Sequence, residues 1–123
     1  MPVELSEFNP ASVSALSDAI VGEVGAIGGN WWVTNAALVE GYIKSLSEAA
    51  MQTASALASG TIKPTQADQI MKMQEVAFKS TIQFTKFMTF ALAQKVLDTV
   101  FRLVGWAIRN RTGVNLFPGV VQP

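Results

Sequence analysis

The fold turns on residues 72–86, KMQEVAFKSTIQFTK. Lysine recurs at every seventh position, as Lys72, Lys79 and Lys86. Seven residues make nearly two helical turns, so the three lysines share one stripe. Ile70, Met73, Ala77, Ser80, Phe84, Phe87 and Ala91 supply an a/d seam in steps of three and four.

Towards the C-terminus the pattern slips. The next cation comes at Lys95, and its stripe continues through Arg102 and Arg109. At about 100° per residue this second stripe lies nearly opposite the first. The apolar seam moves with it, to Phe90, Ala93, Leu97, Val100, Val104 and Ala107. Between the stripes lies FMTFALAQ, residues 87–94, which carries no charge. A helix apolar on all sides is a buried helix. From Thr65 to Arg111 there is no proline, and Gly105 is the single glycine. The pattern therefore predicts one long helix over 65–111, about 70 Å at 1.5 Å per residue. Such a rod is too long for the centre of a compact small domain and points to an elongated assembly. The alternative is a break near residues 87–90, which would give two ordinary helices of a four-helix monomer.

On the long-helix reading, the residues expected at an assembly interface are Phe84, Phe87, Phe90, Leu97, Val100, Phe101, Val104 and Trp106, with Leu116 and Phe117 from the tail. Each large apolar side chain enclosed there contributes roughly 1.5–3 kcal/mol. The tail, residues 112–123, is apolar and uncharged beyond Gly113, and is expected to pack on a neighbour.

Towards the N-terminus, residues 61–64 read as a turn. Pro64 stops the preceding helix, and Thr65 with Asp68 forms the expected cap of the next one. A helix is expected over 30–60, with Gly60 just past its end. Its second half is rich in small residues. Ser45, Ala49, Ala50, Ala54 and Ala58 make a close-packing face. Before it stand Gly22, Gly25, Gly28 and Gly29. Each glycine costs a helix interior about 1 kcal/mol relative to alanine. Residues 1–29 therefore read as an arm, with a short helix over about 10–21 and a glycine-rich hinge. No strand precedes these glycines and no lysine follows them, which argues against a phosphate loop. Trp31 and Trp32 suit either a core or an interface. The fold class is all-α: a short N-terminal helix, then a long helical hairpin, in a single domain spanning 1–123.

Composition bounds the function. Half the residues are apolar and only 15% are charged, against roughly 25% for typical soluble domains. A small chain has much surface to cover, so copies of itself, other subunits of a larger assembly, or lipid are expected to cover the excess. Residues 1–69 carry a net charge of −5 and residues 70–123 of +5, a polarity suited to stacking against a neighbour. There is no histidine and no cysteine. The usual acid–base and thiolate groups are therefore missing, and the scattered carboxylates do not form a di-metal set. No enzyme activity, metal or cofactor is expected. The basic half has aromatics between its cations but no base-reading motif, so nucleic acid is not expected as a partner. The N-terminus lacks the basic and apolar regions of a cleavable signal. The compartment is not legible, although a virion or a secreted or membrane-associated particle would suit the pattern.

These features predict a self-assembling structural subunit packing into a ring, tube, filament or virion-type particle. A pore-forming or membrane-inserting oligomer, of the phage lysis or DNA-ejection type, is the alternative. Residues 87–108 are mostly apolar, with Trp106, Arg109 and Arg111 at one end as interfacial anchors. Lys95, Asp98 and Arg102 would each cost about 2.5–3.5 kcal/mol near the centre of a span. Such an oligomer would have to turn those three towards an aqueous lumen. A monomeric helical adaptor is a third possibility.

Overall fold

The computed structural model describes residues 4–116. Within them the chain is all-α: a single 3₁₀ turn at Leu5–Glu7, then α1 (Val13–Ala58), α2 (Pro64–Ile82) and α3 (Phe90–Thr112).

α1 is not straight. Gly29 holds φ 53 and ψ −134, and splits the helix into limbs over 13–28 and 30–58. The limbs fold back on each other. Val13 and Met51 line one cavity, and Arg111 reaches both the Pro10 carbonyl and Met51 Sδ. In a straight helix, residues 13 and 51 would lie about 57 Å apart. The short helix expected over 10–21 therefore begins later and runs further. Ser12 caps it, its hydroxyl accepting from the Ala15 amide at 3.1 Å. It continues through Gly22 and Gly25, and α1's own return limb covers Gly25 and Gly28, while Gly22 stays exposed. A Cβ on Gly25 would meet the Trp32 indole at 3.2 Å, and one on Gly28 would stand 2.6 Å from Trp32 Cβ. The hinge is the one residue whose conformation excludes a side chain, Gly29.

The second limb ends at Ala58, and Gly60 follows with φ 74. α2 begins on Pro64, where the missing N–H costs nothing. The cap is not the expected Thr65–Asp68 pair. Gln66 Oε1 accepts from the Lys63 amide at 2.8 Å, and Asp68 instead pairs with Lys72 at 3.2 Å.

The helix expected over 65–111 is broken at 83–89. No proline or glycine does this; threonine and tertiary contacts do. Thr85 Oγ1 donates back to the Ile82 carbonyl and accepts from Trp31 Nε1 at 2.7 Å. Asn35 Nδ2 donates to the Lys86 carbonyl at 2.8 Å. Thr89 then caps α3 by accepting from the Leu92 amide at 3.1 Å. Threonine hydroxyls offer backbone groups an alternative to the helix, and here a second segment takes up that alternative. The energies favour the break. Opening a helix forfeits about four backbone hydrogen bonds at roughly 1 kcal/mol net each. Folding α3 back encloses Val96, Val100, Phe101, Leu103, Val104 and Ile108, each at most 1% exposed, at roughly 1.5–3 kcal/mol apiece.

The core has one layer per rod. Leu16, Ile20 and Val24 come from the first limb, and Val39, Ile43, Leu46, Ala50 and Ala54 from the second. Ala67, Met71, Phe78 and Ile82 come from α2, and Phe78 meets Phe101 edge to face at 6.1 Å. α3 is the central rod, since no residue from 98 to 110 is exposed. The N-terminal arm is tied to its far end. Asn110 Nδ2 donates to the carbonyls of Leu5 and Phe8, both at 2.9 Å.

Candidate functional site

α2 is apolar on two sides. One side fills the core. The other carries the first members of the seam read from the sequence, Ile70, Met73, Ala77 and Ser80; Phe84 and Phe87 lie in the corner beyond its end and Ala91 is in the first turn of α3, and all seven are exposed. Val76 lies beside them at 64% exposure. Met73, Val76 and Ala77 line a shallow apolar groove, with the Lys72 stem along one edge.

The corners at Gly29 and at 83–89 sit together at one end of the bundle, joined by the Trp31–Thr85 and Asn35–Lys86 hydrogen bonds. This end is unlike the rest of the surface. Phe84 is 84% exposed, Phe87 57% and Phe90 86%. Val33 and Leu38, on the limb that leaves the Gly29 corner, are exposed as well. No charge occurs between Glu23 and Glu40, and no acid between Glu75 and Asp98, a stretch that holds Lys79, Lys86 and Lys95. Glu23 is itself buried. Between the end of α2 and the start of α3 opens a cleft of about 400 Å³. Met88, Ala93 and Leu97 line it together with Phe84, Phe90, Lys79, Gln83 and Gln94.

Phe87 is the unusual residue of this end. It has φ 67, a conformation that costs a bulky L-residue roughly 1–2 kcal/mol. Its ring lies 5.2 Å from Lys86 Nζ and remains more than half in solvent.

The expected interface residues divide. Phe84, Phe87 and Phe90 are on the surface, whereas Leu97, Val100, Phe101, Val104 and Leu116 belong to the chain's own core. That is a correction: once the rod is broken, its second half finds its cover within the chain. Trp106 is half-buried beneath the Arg109 guanidinium, 4.6 Å from its ring. Phe117, like the rest of the tail beyond Leu116, lies outside the described residues. The close-packing face divides as well. Ala50 and Ala54 are buried, Ala49 is half-buried, and Ser45 and Ala58 are exposed. Of the stripe cations, Lys72, Lys79, Lys86 and Lys95 are exposed, while Arg102 and Arg109 are half-buried. Sequence reasoning missed Val33, Leu38 and Val76. The available signal was the uncharged run between Glu23 and Glu40 and the second apolar side of α2.

Among the described residues, no cluster of acids is arranged to hold a metal ion. No helix among them is long and apolar enough to cross a membrane. No known family, curated protein or solved structure matches the chain.

Proposed function

We propose that this protein is a non-enzymatic structural subunit that assembles with copies of itself through the outer side of α2. One observation carries this reading: the α2 part of the seam, Ile70, Met73, Ala77 and Ser80 in steps of three and four, stays exposed after the described residues have filled their own core. A 3.5-residue period is the spacing at which one helix receives another; Ile70 and Ala77 border α1's second limb, while Met73 and Val76 are left largely uncovered by the described helices. The opposite charges of its two halves favour association with a defined orientation. Rings, tubes, filaments and virion-type particles are all built from such contacts.

Light scattering coupled to size exclusion, with electron microscopy of the same fractions, tests the proposal. Oligomers or ordered particles are expected, and Ile70→Glu with Met73→Glu should disperse them while leaving helicity intact. A wild-type chain that stays monomeric at high micromolar concentration overturns the reading. A membrane-spanning pore is the weaker alternative, since none of the described helices suits a span.

A further inference from the structure

We infer that the acid-free end of the bundle docks on a lipid surface bearing anionic headgroups. Phe87 and Phe90 enter the acyl boundary there, and Lys79, Lys86 and Lys95 lie at headgroup depth.

Three independent observations meet at this end. The first is exposure. Phe84 and Phe90 line the same cleft mouth as Lys79, and Phe87 projects beside Lys86. Aromatic rings left in water at a corner are poor core elements but suit insertion between lipid headgroups. The second is charge. The run from Val76 to Leu97 contains three lysines and no acid, although the whole chain is neutral. The adjoining corner, residues 24–39, adds neither sign, and Glu23 behind it is buried. Lysine stems can lie along apolar surface while their ammonium groups reach a headgroup phosphate. The third is backbone conformation. Phe87 occupies a left-handed position that glycine would take without strain, yet its ring is mostly in solvent. A side chain kept against strain, with little to bury inside the chain, points to an external contact.

This site is distinct from the middle of the α2 seam used for assembly, so the two ideas can fail separately. The experiment is flotation of the full chain with vesicles of phosphatidylcholine alone and of phosphatidylcholine mixed with phosphatidylglycerol. Partition onto the mixed vesicles is expected, weakening as salt rises because surface electrostatics are screened. Lys86→Gln should lower it about five-fold. Phe87→Ala and Phe90→Ala should each lower it about ten-fold. Both rings are mostly exposed, so unchanged circular dichroism is expected and checks the fold. Ile70→Glu with Met73→Glu should disperse an assembly and leave partition per chain unchanged. The inference is overturned by failure to bind either vesicle, by equal binding to neutral vesicles, or by wild-type binding of the Phe87→Ala and Phe90→Ala variants. It is also overturned if those two variants change the oligomeric state rather than vesicle binding, which would assign this end to a second copy of the chain.

Discussion

The chain reverses direction at two neighbouring corners, and they use opposite residue chemistry. At Gly29 the backbone enters a region open to glycine alone, with Gly25 and Gly28 pressed under Trp32. At residues 83–89 there is no glycine, and Phe87 takes the positive φ. The first corner is built to bring two limbs close together. The second tolerates strain to hold large rings outward. Similar reversals thus serve packing in one case and surface chemistry in the other, and substitutions at the two should move stability in opposite directions.

The largest effect is expected at the first corner. A Cβ on Gly28 would stand 2.6 Å from Trp32 Cβ and 3.0 Å from the Trp31 ring, and neither is the free end of a flexible chain. Gly28→Val should therefore cost about 3 kcal/mol, the upper range for overpacking, read as a lowered urea midpoint. A midpoint like that of wild type would mean the limbs do not approach as described.

The bond between the corners comes next. Trp31 is 1% exposed, and its Nε1 donates to Thr85 Oγ1. Trp31→Phe keeps most of the ring and removes the donor, which should cost about 1–2 kcal/mol. In a double-mutant cycle with Thr85→Val the two losses should not add. Additive losses would show that the corners are held together by other contacts.

The second corner should respond with the opposite sign. Phe87→Gly relieves roughly 1–2 kcal/mol of left-handed strain and returns roughly 0.4–1 kcal/mol through the looser unfolded chain. A net gain of about 0.5–1 kcal/mol is expected, visible as a small rise in melting temperature. Destabilisation would show that the Phe87 ring contributes to the fold and would blur the contrast between the corners.

What the sequence made legible follows the same division. The all-α class was readable because Ile70, Met73 and Ala77, and again Leu97, Val100 and Val104, recur at steps of three and four. The break at 83–89 was readable only as the alternative near 87–90, because its agents are Thr85 and Thr89. Threonine is compatible with a helix until a partner arrives, and Trp31 lies 54 residues away. The glycine cluster signalled a loosened segment, but which glycine turns the chain depends on where the Trp32 indole lands. Period shows that a face is apolar without showing what covers it. Leu97, Phe101 and Val104 were therefore readable as buried residues, but not as residues of the chain's own core. The α2 seam was readable for the same reason, and it stayed on the outside, as did Phe90 at the start of the second seam.

The smallest predicted effect tests whether the second corner closes α3 against α2. The Glu75 carboxyl is raised above its ordinary value chiefly by burial. Asp98 on α3 pushes it further up, and Lys72 and Lys79 on its own helix pull it down. In an unbroken helix, residues 75 and 98 would lie about 35 Å apart, well beyond a Debye length of about 8 Å at physiological salt, so Asp98 would have no effect on it. A carboxyl with a raised native pKa holds its proton more tightly in the folded chain than in the unfolded one. Stability should then fall as pH rises from the ordinary carboxylate value through the raised one, and level off above it. Glu75→Gln should remove that slope, matching wild type in acid and slightly exceeding it above the window. Asp98→Asn should shrink the slope without abolishing it, because burial remains. Urea midpoints across this pH range separate the outcomes. If Asp98→Asn leaves the wild-type slope unchanged, α3 does not lie beside α2, and the corner that exposes the three phenylalanines is not closed.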